Sequence, residues 1–571
     1  MEVLPLSSPP VVSAFDTMGW PSGPRPIQRE ILEIVFSGKD VLGVLPTGAG
    51  KTALYQVPAV ARAGTVIVIS PLIALMQDQV GKTQHINGVS AATLNSHCTP
   101  RQRREVLRSL ESRDLDLLYI SPERLQAFDK GFMGKLNVQM VAIDEAHCTS
   151  EWGHDFRPAY RRIGPLLDML FDGRRPQTIA LTATATKSVA QEIVGLTGLR
   201  NPEILRYSPN RPAMFYGVAG SDVDVGRMVA RTGLPCLVYG STRMSVEHAA
   251  LQLCQQGYKA DFYHAGRSKG ERAEVQDRFL SGELEVIAAT CAFGMGIDHG
   301  SLRGVVHLEM PFSVESYLQE SGRAGRDGGP SMVICRHTQR TLDVALAMSE
   351  VTWPKPGLVE LFWPRLKQVF SQYARQGSWE APGTIQLTTT QLADLVGMPA
   401  PMVSSIVRIL VEAGNLKRTS ARELPVHLTL IGGRKKPRGH QQKAVLAELE
   451  RHADFDGNVR GTRAFFSDRI GLDTPMMRSL NLAGILRCSG WDQKAAVLEQ
   501  VNDGEATFDR ERIISLGDRT RIRLLEAKAY LNTAGCRRAY LLNYFGDTSG
   551  GSSTGACCDR CLQRARRSST T

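Results

Sequence analysis

A glycine-rich segment, LPTGAGKT, follows directly on a short apolar run and carries residue types suited to binding phosphate. Gly48 and Gly50 would let the backbone curl around phosphate groups. Lys51 would supply positive charge to the β and γ phosphates, and the Thr52 hydroxyl would face Mg²⁺. The usual phosphate-loop pattern has glycine where this chain has Leu45. The segment nevertheless predicts a nucleoside triphosphate site, because GKT after a strand seldom has another use.

A pair of acids ends a second apolar run, VAID, where Glu145 follows Asp144. A carboxylate at the end of a parallel strand can hold Mg²⁺, usually through water. The next carboxylate can orient or deprotonate the attacking water. Either acid alone could be a solvated charge at a strand end. Together with Lys51 on another strand, the two acids predict a site for ATP hydrolysis.

Two arginines, Arg323 and Arg326, lie three residues apart in the segment QESGRAGRDG. On a helix this spacing places both side chains on one side. Two guanidinium groups can then reach the γ-phosphate from an opposing domain and stabilise the charge that develops during hydrolysis. A basic surface pair is the alternative in a chain whose net charge is +11. The flanking glycines favour the first interpretation, because they permit a close backbone approach.

The elements that must position these residues are visible in the hydrophobic pattern. Short apolar runs alternate with polar helical stretches, which is typical of buried parallel strands in an α/β sheet. Two α/β units in tandem are therefore predicted, at 15–207 and 208–340. Residues 1–14, rich in Pro, Ser and Val, are predicted to be disordered.

The rest of the chain has a different pattern. The stretches LTTTQLADLVGM and PMVSSIVRILVEAGNL flank a turn as in a helix-turn-helix, and RTSARELPVHLTLIGG could form a β wing. A winged-helix-like α+β domain is predicted at 383–430, although a helical hairpin that merely packs would look similar. Residues 341–382 are predicted as a helical connector, 431–520 as an α-rich domain of unknown role, and 563–571 as a basic tail.

Four cysteines are concentrated near the C-terminus: Cys536, Cys557, Cys558 and Cys561. Four thiolates can close a tetrahedral Zn²⁺ site and hold a small helical unit together. Free thiols are the alternative. A helical zinc-binding module is therefore predicted at 521–562.

Bulk properties narrow the class of protein. The net charge of +11 and the pI near 9.1 favour a polyanionic partner such as nucleic acid, although a generally basic surface would give the same values. No apolar run approaches the roughly 20 residues that a membrane span needs. We therefore expect a cytoplasmic protein without membrane contact, associated with the nucleoid if it is bacterial.

In this order, the segments resemble those of the RecQ family of superfamily 2 helicases. The resemblance covers residues 15–340 and 521–562. Its most specific part is VAIDEAHCTSEWGHDFRPAYRRIG, which is similar to the family's DEAH box and aromatic-rich loop, a loop that DEAD-box RNA helicases lack. Other matching segments are RPIQ, SPLIALMQDQV, LNS, SPERL, LTATA, YHAG, ATCAFGMGID and ESYLQESGRAGRD. The implied fold class is α/β: two tandem RecA-like lobes with parallel sheets, then a winged-helix-like domain and a small helical zinc module.

The resemblance also implies roles for individual residues. Those implied to bind ATP are Arg25, Gln28, Thr47, Gly48, Ala49, Gly50, Lys51 and Thr52, with Gln28 and Arg25 at the adenine edge. Those implied to contact DNA or to couple hydrolysis to movement are His147, Trp152, Phe156, Arg157, Thr182 and Gln319. Thr52 and Asp144 would hold Mg²⁺ and Glu145 the attacking water, and Arg326 is the stronger candidate of the two arginines for contacting the γ-phosphate.

The chain departs from the family pattern in two places. The last three cysteines are normally spaced by two residues each, whereas here Gly555 stands in one of those positions and Cys557 adjoins Cys558. The zinc module normally follows the motor directly, whereas here residues 341–520 intervene. The segment predicted as the wing has His427 but no aromatic tip. These departures leave open whether Cys557 is a zinc ligand and which element separates the strands.

The function expected from these residues is that of an ATP-dependent DNA helicase. The resemblance implies movement 3′ to 5′ on single-stranded DNA and action on duplex or branched DNA in repair or recombination. Single-stranded-DNA-binding or recombination proteins would be possible partners. The alternative is a DNA-dependent ATPase that remodels or tethers DNA without processive unwinding. An RNA helicase is disfavoured by the aromatic-rich loop.

Overall fold

The computed structural model describes residues 4–20, 22–71, 73–86, 88–150, 157–291, 293, 300–337, 339–375, 383–423, 426–431, 440–453, 457–461, 465–482, 485–489, 494–548 and 556–568. The chain forms two compact units. One comprises Met1–Ala345 with Ile522–Thr571, and the other Leu346–Arg521.

The first lobe of the larger unit is an α/β layer structure in which strands and helices alternate. Its strands are β1 Val41–Val44, β2 Thr65–Ile69, β3 Ala91–Leu94, β4 Leu117–Ile120, β5 Val138–Ile143, β6 Gln177–Thr182 and β7 Glu203–Arg206. Its helices are α1 Pro9–Thr17, α2 Pro26–Phe36, α3 Ala53–Ala61, α4 Ile73–Gln84, α5 Pro100–Glu111, α6 Pro122–Leu125, α7 Lys130–Met133, α8 Pro158–Arg161, α9 Ile163–Leu170 and α10 Lys187–Thr197, with a 3-10 turn at Ala146–Thr149.

The sheet of this lobe explains why the site residues meet. The strands are parallel, in the order β3-β4-β2-β5-β6-β1-β7. The continuously apolar runs of β1, β2 and β5 are buried on both faces, as parallel strands require. The carboxyl ends of β1, β5 and β6 therefore lie side by side at one edge, where open parallel sheets bind ligands.

The second lobe repeats this architecture. Its strands are β8 Met214–Ala219, β9 Cys236–Tyr239, β10 Ala260–Tyr263, β11 Val286–Ala289, β12 Gly304–His307 and β13 Ser331–Arg336, all parallel in the order β10-β11-β9-β12-β13-β8. Its helices are α11 Val225–Thr232, α12 Arg243–Gln255, α13 Lys269–Leu280, α14 Val314–Ser321 and α15 Gln339–Thr352. Helix α14 ends immediately before the arginine pair, so β12 and α14 together position that pair.

The smaller unit contains two antiparallel three-stranded sheets. Its helices are α16 Pro356–Arg375, α17 Thr389–Val396, α18 Ala400–Glu412, α19 His440–His452 and α20 Thr474–Leu482, with a π-helical turn at Phe465–Arg469. Its strands are β14 Thr384–Leu387, β15 Leu416–Glu423, β16 Val426–Leu430, β17 Asn458–Gly461, β18 Leu486–Ser489 and β19 Lys494–Gln500. The sheet orders are β14-β19-β15 and β17-β16-β18.

The helix pair predicted from the sequence is present in this unit. Helices α17 and α18 are bent by 98° at a short break, within the usual range for a helix-turn-helix. Thr388 caps α17 by accepting a hydrogen bond from the backbone of Gln391, and Gly397 ends it in the left-handed conformation. Among the described helices, none is by itself long and apolar enough to span a membrane, and only the bent α17–α18 pair reaches that length and apolarity.

The wing predicted from the sequence is not formed as expected. Strand β15 pairs with β19, whereas β16 pairs with β17 and β18 in the other sheet. Val426 and Leu428 of β16 are buried in a separate core with Leu449 and Phe466, so β16 cannot complete a hairpin with β15. The winged-helix-like core includes α16 and β19, and the region predicted as α-rich contains three strands. The domain boundaries expected at 383–430 and 431–520 therefore do not match the structure.

The prediction about the N-terminus is also corrected. Residues 9–17 form α1 rather than a disordered segment, because Val11, Ala14 and Phe15 are buried in the core of the first lobe. The basic residues predicted as a tail extend helix α23, Asp559–Ser568. That helix belongs to a small C-terminal module with α21 Arg510–Asn532 and α22 Arg537–Tyr544.

Candidate ATP-hydrolysis and zinc sites

The predicted phosphate loop leaves β1 and enters α3. Gly48 and Gly50 have φ values of +85° and +81°, which side chains rarely adopt. A Cβ at Gly50 would lie 2.4 Å from Nε2 of Gln28. The loop therefore requires glycine at both positions, and its open backbone is consistent with a phosphate cradle.

Gln28 and Arg25 lie beside this loop. Gln28 is buried, and its Nε2 donates to the carbonyl oxygens of Ala49 at 3.2 Å and Gly50 at 3.1 Å. Its Oε1 accepts from the backbone N–H of Arg25, whose Nη1 donates to the Gly48 carbonyl at 3.1 Å. Both side chains thus hold the phosphate loop itself, and contact with adenine stays a prediction.

The acidic pair faces the lysine of the loop. Nζ of Lys51 lies 3.4 Å from Oε1 of Glu145, while Asp144 is buried. Burial raises the pKa of the Asp144 carboxyl, whereas nearby Lys51 opposes that rise. A buried carboxylate and the Thr52 hydroxyl line the same cavity and are a fitting donor set for Mg²⁺, because the cation would stabilise the charged form of the carboxyl group. Glu145 has a φ of +48°, a left-handed backbone conformation that is uncommon for residues other than glycine.

A histidine and a threonine connect two neighbouring strands behind the acids. Nδ1 of His147, just after β5, lies 2.9 Å from Oγ1 of Thr182 at the end of β6. The same Nδ1 lies 3.4 Å from Oε2 of Glu145, so the pair contacts the predicted water-orienting residue. This arrangement can transmit a change at Glu145 to the end of β6.

The residues predicted to contact DNA are only partly described. Arg157 donates from Nη1 to the carbonyl oxygen of Pro71 at 2.5 Å, which ties the end of its loop to the segment after β2. Trp152 and Phe156 lie outside the described residues. Their predicted contact with single-stranded DNA stays a prediction.

The arginine pair lines the same cavity as the phosphate loop. This cavity of about 440 Å³ is bordered from the first lobe by Lys51, Thr52, Asp144 and Glu145, and from the second by Gln319, Arg323 and Arg326. A Cβ at Gly48 would lie 3.5 Å from Cγ of Arg326, and one at Gly322 would lie 3.0 Å from Cβ of Thr47. Gly322, directly before the pair, therefore permits the close approach that the sequence suggested.

Sequence reasoning missed several residues of this cavity. Tyr55, Asp78, Gln79 and Lys82 also line it. Asp78 and Gln79 belong to the segment SPLIALMQDQV, which matches the family but was given no individual roles, and Lys82 lies two residues beyond it. Their spacing at i, i+1 and i+4 could have indicated a shared site, because it places Asp78 and Lys82 on one face of α4.

The four C-terminal cysteines form one cluster. Their sulfur atoms all lie within 4.8 Å of one another, with Cys557 at 3.4 Å from Cys536 and 3.8 Å from Cys561. Tetrahedral zinc with bonds of about 2.3 Å separates its sulfur ligands by about 3.8 Å. Burial, followed by the neighbouring thiols, raises the pKa of Cys561, so four thiolates need a cation between them. The donor set fits Zn²⁺, and Cys557 occupies the corner that the altered spacing had put in doubt.

Replacement of Cys557 by serine is expected to release zinc, because a fourth thiolate is needed to close the tetrahedron. Zinc content after dialysis against a chelator should fall from about one ion per chain toward none. Cys254→Ser is the matched control, since Cys254 is an exposed cysteine of α12. Retention of zinc by Cys557→Ser at the level of the control would show that Cys557 is not a ligand.

Comparison with known proteins places these features in a family. Three domain families match: DEAD/DEAH box helicase at residues 25–193, helicase conserved C-terminal domain at 225–328, and RecQ zinc-binding at 511–562. The probable ATP-dependent DNA helicase RecS of Bacillus subtilis is 39% identical over 315 residues, which are 54% of this chain and 62% of RecS. The ATP-dependent DNA helicase RecQ of Pasteurella multocida is 39% identical, covering 54% and 49%.

A plant relative aligns over more of the chain. The ATP-dependent DNA helicase Q-like 2 of Arabidopsis thaliana is 34% identical over 454 residues, which are 75% of this chain and 62% of that protein. The chain thus spans 62% or less of the length of each of these relatives.

Two helicase domains that share one nucleotide cavity define the class, a superfamily 2 helicase. The zinc-binding match narrows this class further. The chain belongs to the RecQ family. The predicted family and the predicted α/β fold with two parallel-sheet lobes are confirmed.

Proposed function

We propose that this protein is an ATP-dependent DNA helicase that moves 3′ to 5′ on single-stranded DNA and unwinds duplex or branched DNA in repair or recombination. The observation that carries the proposal is the cavity shared by Lys51, the acidic pair and the two arginines. The named helicase relatives and the net charge of +11 support DNA as the partner.

The chemistry follows from the geometry of the cavity. Lys51 would neutralise charge on the β and γ phosphates, and Glu145 would orient the attacking water. Thr52 and Asp144 would hold Mg²⁺, which would neutralise negative charge on the phosphates. Arg326 would stabilise the charge that develops on the γ-phosphate, which requires the two lobes to stay together.

Coupling to DNA would use the contact between His147 and Thr182. Loss of the γ-phosphate changes what Glu145 faces, and the 3.4 Å contact of Glu145 with His147 carries that change to Thr182. Alternating closure and release of the lobes would then shift the strand by steps. Cytoplasmic localisation and association with single-stranded-DNA-binding or recombination proteins are further parts of this proposal.

A second candidate function is ATP-dependent remodelling or tethering of DNA without processive unwinding. It is favoured by one observation, that the predicted wing is not formed by β15 and β16. In that case the ATPase cavity would work unchanged, but no hairpin of the expected kind would separate the strands.

A forked duplex with a single-stranded 3′ tail tests the proposal. We expect ATP-dependent strand displacement, little displacement with only a 5′ tail, and stronger ATPase stimulation by DNA than by RNA. Robust ATPase without displacement on any fork would favour remodelling. Stronger stimulation by RNA would contradict DNA as the partner.

A further inference from the structure

The loop that carries the arginine pair has little regular structure to hold it. Residues 322–327 follow α14 as a series of turns. Gly325 has a φ of +60°, and a Cβ there would lie 2.5 Å from Oγ of Ser331. The loop is therefore closely packed, and a shift in its backbone would move both guanidinium groups relative to the phosphates.

One arginine outside the predicted site donates hydrogen bonds to the backbone of this loop. Arg211, in the segment that connects the two lobes, donates from Nη1 to the carbonyl oxygen of Gly322 at 2.8 Å. Its Nη2 donates to the carbonyl oxygen of Gly325. The two acceptors lie on either side of Arg323, so a single guanidinium fixes the backbone around the first catalytic candidate and just before the second.

The choice of arginine has a physical reason. A guanidinium presents several N–H donors in a rigid planar fork, whereas a lysine ammonium offers a point charge on a flexible stem. Charge-assisted hydrogen bonds are also stronger than neutral ones. Arg211 can therefore hold two carbonyl groups at once in a fixed planar geometry, which the flexible lysine side chain would define less well.

The segment around Arg211 is held in turn by the zinc module. Arg538, a buried residue of α22, donates from Nη2 to the carbonyl oxygens of Pro212 at 3.0 Å and Met214 at 2.6 Å. Its neighbour Arg537 is fully buried and forms a two-point ion pair with Asp559 at 2.6 and 3.0 Å. Both arginines directly follow Cys536, so zinc bound by the cysteine cluster would fix the start of the helix that carries them.

We propose that Arg211 is a positioning residue for ATP hydrolysis: it holds the loop of Arg323 and Arg326 against the phosphate site, and Arg538 of the zinc module holds Arg211 in place. This inference rests on the proposed ATPase function. It connects the zinc module to catalysis through backbone contacts rather than through DNA.

The test compares steady-state ATPase kinetics of the full chain, with single-stranded DNA present. Arg211→Gln should lower kcat by about tenfold to a hundredfold, the effect of misplacing a catalytic group by about 1 Å. KM for ATP should change by less than about threefold, because phosphate-loop contacts remain. Arg211→Lys should recover part of the loss, and Arg538→Gln should lower kcat while zinc content stays unchanged. Arg227→Gln, at an exposed ion pair of α11, is the matched control.

A combined variant distinguishes a positioning role of Arg211 from a general loss of structure. If Arg211 acts through the arginine loop, Arg211→Gln should change kcat by less than about threefold in a chain that carries both Arg323→Ala and Arg326→Ala. The inference would be overturned if the losses in kcat multiply in the combined variant. It would also be overturned if Arg211→Gln alone keeps the wild-type kcat. Should Arg211→Gln fail to fold by thermal unfolding, Arg211→Lys carries the same comparison. A wild-type chain without DNA-stimulated ATPase would overturn the proposed function as well, which distinguishes the two failures.

Discussion

Replacement of Lys51 by alanine is expected to abolish DNA-stimulated ATP hydrolysis while the chain stays folded. Removing one preorganised charge from the phosphate site costs about 10²–10³-fold in kcat. The cost here should reach or exceed that range, because Lys51 is also the cation beside Glu145 and the buried Asp144. The contact of its Nζ with Glu145 is long at 3.4 Å, and the carboxyl of Asp144 can take up a proton once the cation is gone, so we expect the chain to remain folded.

ATPase rate and thermal unfolding temperature should be measured on the same preparations. Lys39→Ala is the matched control, because Lys39 forms an exposed ion pair with Glu203 in the same lobe at 2.8 Å. Full ATPase activity in Lys51→Ala would refute the assignment of the phosphate loop.

The second large effect is expected for Arg326→Ala. An arginine that reaches the transferred phosphate is worth about 10³-fold or more in kcat. Arg326 lies over Gly48 of the phosphate loop, at the border of the cavity that contains Lys51. We therefore expect a loss of about 10³-fold in kcat, with a smaller change in KM for ATP.

Arg326→Lys serves as the conservative variant, since it keeps the charge but not the planar fork, and should recover only part of the rate. Single-turnover ATPase measurements separate the chemical step from product release. If Arg323→Ala removes the activity and Arg326→Ala does not, then Arg323 is the residue that contacts the γ-phosphate.

The parts of the site that sequence reasoning could reach are those built from local spacing. Gly48, Gly50 and Lys51 stand at fixed offsets after a strand, and Asp144 and Glu145 directly end another. In a parallel sheet the carboxyl ends of the strands lie at one edge, so these residues can be expected to meet there. The cysteines were also recognisable by composition, although the corner taken by Cys557 depends on the backbone path of residues 556–558 and not on spacing.

The features that sequence reasoning missed depend on distant pairings. Arg211 donates to carbonyl oxygens more than a hundred residues away. Every residue has a backbone carbonyl, so the sequence does not indicate which ones accept these hydrogen bonds. Strand β15 looked like one arm of a local hairpin, but its partner is β19. Helix α1 was overlooked because its Pro- and Ser-rich composition outweighed the helical spacing of Val11, Ala14 and Phe15.

The pairing of β15 with β19 has an architectural consequence. Glu423 and Lys494 face each other across that ladder, so the chain leaves the sheet and returns to it at the same rung. Between these two residues in sequence lie β16, β17 and β18, which form their own sheet around a separate core. The segment between the two strands starts and finishes at paired backbone positions. Its length can therefore change at little cost to the pairing of β15 with β19. Insertion of residues between Glu423 and Lys494 would therefore lengthen the region between the helicase lobes and the zinc module without changing either of them.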